Sequence, residues 1–164
     1  DLQRAHQTAQ TLGQALGLAV TAHAPLREQH FGLFEGLLSA DIQRDHADVW
    51  QRWLQFDADF AIPGGGESTR AFHARVCQAV RGLAQAHADH TLVIVTHGGV
   101  LDMLWRSAQD LPLDGPRTCD IPNVGLNHMR WLGDQPQIVV WADTAHLGGL
   151  PEQPNFKQRL RPVA

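Results

Sequence analysis

The chain has 164 residues, 43% of them hydrophobic, a size that predicts one globular domain over residues 1–164. Thirteen Lys and Arg against 17 Asp and Glu give a net charge of −4, which disfavours nucleic acid or an anionic membrane as a partner. Two isolated cysteines, Cys77 and Cys119, predict neither a disulfide framework nor a zinc knuckle and suit a reducing, cytoplasmic location.

The first predicted elements are a helix, a strand and a loop. Apolar residues spaced three and four apart predict an amphipathic helix from Leu2 to near Gly17. A short strand is predicted over residues 18–21, and residues 25–36 are predicted to form a glycine-containing loop. Chemistry is expected in this loop, because a scaffold commonly carries its functional side chains on loops.

Two helices are predicted next. Ser39 is expected to cap a covering helix that reaches residue 54, with its apolar side chains on one face. Residues 63–66, Pro-Gly-Gly-Gly, interrupt the chain, and Ser68 is expected to cap a long helix that ends near His87.

The clearest strand signal lies over residues 91–96, which are continuously apolar from 92 to 95, as expected for a strand buried on both faces. His97, Gly98 and Gly99 follow at once, and a helix is predicted to continue to Ala108. Ligands bind at the carboxyl ends of strands in open α/β sheets, and the amides that begin a helix suit an anion. The alternative interpretation is a histidine that closes a strand before a tight glycine turn.

Two further strands are predicted over residues 124–132 and 138–141, around the turn Gly133-Asp134. Residues 151–164 contain three prolines and are predicted to be an irregular tail. No linker divides the chain into two domains.

Several short motifs follow one another along the chain. Residues 1–9 read Asp-Leu-Gln-Arg-Ala-His-Gln-Thr-Ala, and residues 26–36 read Leu-Arg-Glu-Gln-His-Phe-Gly-Leu-Phe-Glu-Gly. Residues 65–68 read Gly-Gly-Glu-Ser, and residues 95–99 read Val-Thr-His-Gly-Gly. In this order they resemble the motifs of the histidine phosphatase superfamily, which is also called phosphoglycerate-mutase-like. Residues 122–123 and 142–147 match the closing pattern of this family more loosely.

The resemblance implies an α/β fold, a three-layer α/β/α sandwich with a mostly parallel central sheet. It also implies roles for four residues. Arg4 would form a fork with phosphate oxygens, while His97 and Gly98 would contact the transferring phosphoryl group. Glu28 would act first as general acid and then as general base.

Each role has a plainer alternative. Arg4 could be a solvated arginine in the first turn of a helix, although the helix dipole disfavours a cation there. Glu28 could form an exposed ion pair with its neighbour Arg27. Glu35 and Glu67 of the motifs, and Arg75 of the helix that follows Ser68, are predicted to be structural, with Glu35 accepting backbone amides of its loop.

One departure from the family pattern concerns the nucleophile. The family opens with a strand that ends in Arg-His-Gly, whose histidine is phosphorylated, and no Arg-His-Gly occurs here. His97 fits the second histidine of the pattern, because it follows Thr96 and lies far downstream of Arg4. We therefore expect the first strand to be missing from this chain and present in the natural protein. A polypeptide beginning at Asp1 is expected to fold poorly and to lack phosphatase activity.

The sequence thus predicts a phosphatase that hydrolyses small phosphate monoesters through a phosphohistidine, with a small phosphorylated metabolite as partner and no metal or cofactor. A phosphoglycerate mutase is the first alternative. Such mutases usually carry an insertion after the loop with the catalytic glutamate, whereas the span from Gly36 to Gly64 is short here and holds one predicted helix. A non-catalytic module that binds a phosphorylated ligand is the second. The substrate and the oligomeric state stay open, with a homodimer among the alternatives.

Overall fold

The computed structural model describes residues 1–133 and 135–150. Its helices are α1 (Gln3–Leu16), α2 (Ser39–Asp45), α3 (Ala47–Trp53), α4 (Thr69–Ala86) and α5 (Gly98–Ala108). Its strands are β1 (Leu126–Leu132) and β2 (Gln135–Asp143), and short 3₁₀ turns cover Ala24–Leu26, Gly32–Phe34 and Ala145–Leu147. None of the described helices has both the length and the apolar character needed to cross a membrane. The tail predicted over residues 151–164 lies outside the described residues.

Helix α1 ends where the sequence predicts. Gly17 follows it with φ 66°, a left-handed conformation that glycine adopts without the steric cost of a Cβ. The Leu18 amide then donates to the Gly13 carbonyl at 2.8 Å, so the chain turns back over the last turn of the helix.

The covering helix predicted over residues 39–54 is two short helices. His46, with φ −137° and ψ 44°, separates them. The predicted Ser39 cap is wrong, because Ser39 is the first helical residue and Leu38 occupies the cap position. Both helices pack apolar residues over the loop. The members of this aromatic cluster are Phe31, Phe34, Ile42, Val49, Trp50, Trp53, Phe60 and Ile62.

The main core lies between α4 and α5. Phe72 and Val76 from α4 and Val100 from α5 are fully buried, and Leu26 of the loop joins them. The Ser68 hydroxyl accepts a hydrogen bond from the Ala71 amide at 3.2 Å, which confirms the predicted cap of α4. The start of α4 is therefore fixed locally, and the core holds its inner face against α5.

The predicted hairpin is confirmed, with β1 and β2 antiparallel across Gly133. Register shifts interrupt the pairing on both sides of His128. Met129 and Trp131 of β1 pack against the core, so the hairpin covers its side near α5.

The strands predicted over residues 18–21 and 91–96 are not formed in the described structure, whose only sheet is the β1–β2 hairpin. The mostly parallel central sheet of the predicted three-layer sandwich is therefore absent from residues 1–133 and 135–150. A strand needs a neighbour for its backbone groups, and no described segment pairs with either of these two. Their apolar side chains are exposed instead, 59% for Leu18 and 60% for Val93.

Arg106 of α5 fixes the loop that follows its helix. Its side chain is buried, and Nε donates to Asp102 Oδ2 at 3.2 Å. The two terminal nitrogens donate to the carbonyls of Pro112, Gly115 and Pro116 at 2.5, 3.0 and 2.9 Å. A longer contact of 3.4 Å reaches the Asp114 carbonyl, so one guanidinium satisfies a buried carboxylate and four loop carbonyls.

We expect Arg106→Met to lower the free energy of unfolding by about 3–5 kcal/mol, since it removes the hydrogen-bonded partner of the buried Asp102 carboxylate and leaves loop carbonyls without their donor. Denaturation by urea measures this loss. Arg44→Met, which removes an exposed pair with Asp45, serves as the control and should cost far less. Equal losses for the two variants would show that the loop does not depend on Arg106.

Candidate functional site

The glycine-containing loop is held in place by Arg75 of α4. Its Nη1 donates to the carbonyls of Pro25 and Arg27 at 2.9 and 3.1 Å, and its Nη2 donates to the Glu28 carbonyl at 3.4 Å. The same guanidinium pairs with Glu67, Nε to Oε1 at 2.7 Å and Nη2 to Oε2 at 2.6 Å. We call these contacts the Arg75 clamp, and they give Arg75 and Glu67 the structural role that the sequence predicts.

The electrostatics of the clamp agree with its geometry. The hydrogen bond from Arg75 lowers the pKa of the Glu67 carboxyl, against the opposing effect of burial, so the pair is ionised at neutral pH. Glu67 also accepts the His30 amide at 3.1 Å. Glu35 accepts the Phe31 amide at 2.8 Å, as predicted for a carboxylate that supports its own loop.

Glu28 points toward the turn that begins α5. Its Oε2 accepts the Gly99 amide at 3.0 Å, and its Oε1 accepts the Gln29 amide at 2.9 Å. The alternative of an ion pair with Arg27 is wrong, because Arg27 Nε donates to Asp1 at 3.0 Å instead. Glu28 therefore accepts a hydrogen bond from one of the amides at the start of α5, where the sequence predicts an anion.

His97 is the residue before α5 and only 7% of it is exposed. Beside it, the Thr96 hydroxyl donates to the Leu26 carbonyl at 2.8 Å, which joins this turn to the loop that carries Glu28. Burial lowers the pKa of His97; the charge of Glu28 opposes this shift, while the charge of Arg4 adds to it. His97 is thus a neutral imidazole at pH 7, with a single N–H to donate.

The structure brings the predicted residues Arg4, Glu28, His97 and Gly98 to one region. Arg4 lies exposed in the first turn of α1, and its charge acts on His97 together with that of Glu28. Gly98 lies directly after His97, where a side chain built on it would stand 3.6 Å from Nη1 of Arg117. Arg117 was not predicted, because it is a single arginine in a proline-containing loop and belongs to no motif.

Next to Glu28 and Gly99 lies a cavity of about 110 Å³. Apolar and polar side chains contribute to its wall in equal number. The charged ones are Glu28, Asp57, Glu67, Asp102, Arg106 and Arg117. Phe72 of the core forms part of the wall and contacts the turn at Gly99.

A second group of reactive side chains lies between α4 and α5. His73 Nε2 is 2.7 Å from Ser107 Oγ, and Cys77 Sγ is 3.0 Å from the same oxygen. Burial lowers the pKa of His73 and raises the pKa of the Cys77 thiol, so neither is charged at neutral pH. Burial likewise raises the pKa of Cys119 to about 11. Among the described residues there is no group of three metal-ligating side chains.

Comparison with known proteins shows the family of the chain. Residues 1–144 match the family described as Histidine phosphatase superfamily (branch 1). The chain belongs to the histidine phosphatase superfamily. The resemblance inferred from the motifs is therefore confirmed, and the chain's relatives in this superfamily include both phosphatases and phosphoglycerate-mutase-like proteins.

Three curated relatives of this histidine phosphatase superfamily chain are informative. Phosphoglycerate mutase-like protein 4 of Arabidopsis thaliana is 33% identical over 149 residues, which cover 90% of this chain and 64% of that protein. Metal-independent phosphoserine phosphatase of the same plant is 28% identical, over 92% of this chain and 62% of that protein. Glucosyl-3-phosphoglycerate phosphatase of Mycobacterium tuberculosis is 36% identical, over 69% of this chain and 53% of that protein. The chain thus spans less than two thirds of these relatives.

Solved structures of the superfamily share the fold. The chain superposes on Bacillus stearothermophilus YhfR with a TM-score of 0.76 at 26% identity, covering 88% of this chain and 72% of that one. A second match is the structure of mycobacterial glucosyl-3-phosphoglycerate phosphatase in complex with inorganic phosphate. Its TM-score is 0.71 at 30% identity, over 87% of this chain and 74% of that chain. The chain therefore has an α/β fold of the phosphoglycerate-mutase-like kind. The described residues do not form its parallel sheet.

Close packing at Gly99 yields a prediction. A Cβ at this position would stand 2.1 Å from Glu28 Oε1 and 3.0 Å from a ring carbon of Phe72, so Gly99→Ala must displace the carboxylate. We expect a loss of about 1–3 kcal/mol in the free energy of unfolding, the usual cost of overpacking. Urea denaturation measures it.

Gly82→Ala is the matched control, because a Cβ at this exposed site in α4 meets nothing within 4 Å. It should raise the free energy of unfolding by about 0.5–1 kcal/mol, the gain from replacing a helical glycine. The same gain at Gly99 would show that Glu28 does not lie against the turn.

Proposed function

We propose that this protein is a phosphatase that hydrolyses small phosphate monoesters through a phosphohistidine, without a metal ion or other cofactor. The observation that carries the proposal is the Glu28 carboxylate on the Gly99 amide, beside the buried, neutral His97 and within the electrostatic reach of Arg4. Membership of the superfamily supports it. So do two relatives named as phosphatases, one of which is named as metal-independent.

In this proposal His97, Gly98 and Arg4 bind the phosphoryl group. The transition state spreads negative charge over three oxygens, which a preorganised N–H and a guanidinium fork stabilise. Burial keeps the imidazole of His97 from moving and excludes water around its N–H, so the donor need not reorganise during the reaction.

Glu28 donates a proton to the leaving group and then accepts one from water. A histidine nitrogen bonds to phosphorus as the ester P–O bond breaks, and protonated Glu28 gives its proton to the departing alkoxide. Water then attacks phosphorus, Glu28 takes its proton, and the P–N bond breaks to release phosphate. The same carboxyl group must serve both steps, because the second step reverses the proton transfer of the first.

The nucleophile in this proposal is a histidine outside these 164 residues, on a strand between residues 18–21 and 91–96. Two observations support this placement. The sequence contains no Arg-His-Gly, and apolar side chains of both segments, including Leu18, Val93 and Ile94, are exposed. A strand between them would cover this surface and pair their backbone groups.

A phosphoglycerate mutase is the second candidate, because one relative is named as phosphoglycerate mutase-like and another as a probable phosphoglycerate mutase. The segment after the Glu28 loop argues for hydrolysis instead, since its two short helices fold onto the aromatic cluster and leave little chain for an insertion. Release of inorganic phosphate from a phosphoglycerate, without formation of its isomer, would decide for the phosphatase. We further propose that the protein is cytoplasmic and that residues 1–164 belong to one domain.

In the complete gene product, Glu28→Gln should slow hydrolysis of alkyl phosphates at least about tenfold more than that of 4-nitrophenyl phosphate. Only a poor leaving group needs a proton in the transition state, and general acids contribute about 10²–10⁴-fold. The measurement is kcat/KM for a series of leaving groups.

Glu35→Gln is the matched control, because Glu35 lies in the same loop and its oxygen contact with the Phe31 amide survives the change. It should leave the dependence on the leaving group unaltered. If Glu28→Gln slows all substrates equally, Glu28 is not the general acid.

Removing either phosphate donor should be costly. His97→Ala and Arg4→Ala should each reduce kcat/KM by at least about 3 kcal/mol of transition-state stabilisation, the scale of one preorganised donor. Steady-state assays with 4-nitrophenyl phosphate measure this. A loss below tenfold for His97→Ala would place the phosphoryl group elsewhere.

Chelation tests the metal-free mechanism. Dialysis against EDTA should leave kcat/KM unchanged, because the proposed charge stabilisation comes from side chains and amides. Activity that disappears with EDTA and returns only with a divalent cation would contradict the proposal.

A further inference from the structure

A second cavity lies beside the cluster formed by His73, Cys77 and Ser107. Its volume is about 250 Å³, below the roughly 300–1,000 Å³ of most ligand pockets, so it suits a small molecule. All three side chains of the cluster line it, and its described lining includes none of the residues placed above at the phosphoryl group. A molecule in this cavity would therefore lie directly against the cluster.

The cluster joins α4 to α5. His73 and Cys77 lie one turn apart on α4, and Ser107 lies in the last turn of α5. His73 Nε2 is 2.7 Å from Ser107 Oγ, and Cys77 Sγ is 3.0 Å from the same oxygen and 3.4 Å from His73 Nε2. The three side chains are half-buried, so bulk water competes only in part for these contacts.

The contact between His73 and Ser107 has the length expected between a general base and a nucleophile. Burial lowers the pKa of His73, and the charges of Arg106 and Arg70 lower it further, so the imidazole is neutral at pH 7. With the ring proton on Nδ1, Nε2 accepts the hydrogen bond from the Ser107 hydroxyl. The same nitrogen can then take the hydroxyl proton as the oxygen attacks a substrate.

Attack on a carbonyl would create an oxyanion in the cavity. The Nε1 of Trp131, a residue of the lining, is buried and has no hydrogen-bond partner among the described residues. The charge of Arg81 favours negative charge at Cys77, whereas Asp110 of the lining and the carbonyl end of α5 oppose it. Trp131 is thus a donor that an oxyanion in this cavity would satisfy.

No sequence motif marks Ser107. It lies inside a helix, after Trp105 and Arg106, and not in the Gly-x-Ser-x-Gly turn of many serine hydrolases. A nucleophile and its base are recognised by their geometry, and the same arrangement occurs on unrelated folds. The apolar part of the lining suits a short acyl chain and consists of Leu111, Leu113, Trp131 and Pro136.

We propose that Ser107 is the nucleophile of a second active site, which hydrolyses esters of short-chain carboxylic acids with His73 as its general base. This inference goes beyond the phosphatase activity and does not depend on it, because neither residue is placed at the phosphoryl group.

The reaction has two steps. Ser107 Oγ bonds to the carbonyl carbon while its proton passes to His73, and the bond from that carbon to the alcohol oxygen breaks as His73 gives the proton to the departing alcohol. Water then attacks the acyl-serine and His73 takes a proton from it. The bond to Oγ breaks, the carboxylic acid leaves, and the proton returns to Ser107.

The test follows hydrolysis of 4-nitrophenyl butyrate by the complete gene product. The wild type should release a burst of about one equivalent of 4-nitrophenol, as expected for an acyl-enzyme. Mass spectrometry after acid quenching should locate the butyryl group on Ser107. His73→Gln should slow acylation at least about 100-fold, the lower end of the range for a general base, and Ser107→Ala should give neither burst nor adduct.

Ser39→Ala is the matched control, because Ser39 is an exposed serine at the start of α2 and its loss should leave the burst unchanged. Urea denaturation shows whether the cluster variants are folded, and the adduct on the wild type is measured without any substitution. A butyryl group on Cys77 or on any other residue would overturn the inference. So would a wild type that forms no acyl-enzyme, or a burst that persists in folded Ser107→Ala.

Discussion

The candidate site depends on one half-buried guanidinium that satisfies backbone carbonyls. Arg75 extends from the long helix α4, whose inner face is packed into the core, and donates to the carbonyls of Pro25, Arg27 and Glu28. The amides of Leu26 and Arg27 bond within their own turn, whereas the carbonyls of residues 25, 27 and 28 take their donors from this guanidinium. Glu67 completes the arrangement, because it holds the guanidinium in plane and keeps its charge balanced.

The positions of the chemical groups follow from that anchor. With the loop fixed on α4, Leu26 enters the core and its carbonyl accepts the Thr96 hydroxyl, while Glu28 reaches the Gly99 amide. Loop and turn are therefore held together at two points, one on either side of His97. Precise placement of a few donors is what phosphoryl transfer requires of a protein, because the reaction needs positioning and charge stabilisation.

Elements with local signals were predictable from the sequence, and those that need distant partners were not. Gly17 ends α1 and Ser68 begins α4 through contacts within a few residues, and both were predicted. Residues 91–96 have the composition of a buried strand, but strand formation requires neighbours that the described chain does not provide. Family motifs located Glu28 and His97, whereas Arg117 reaches the site only through the fold and belongs to no motif.

The most direct test of the account is to find which atom carries the phosphoryl group during turnover. The complete gene product should be quenched in base during hydrolysis of 4-nitrophenyl phosphate, digested, and mapped by mass spectrometry. The account predicts an acid-labile phosphohistidine at a histidine outside residues 1–164, and that His97→Ala still forms this adduct, though more slowly. Phosphate found on His97 itself would contradict the assignment of His97 as a donor, and turnover without any phosphohistidine would contradict the proposed mechanism.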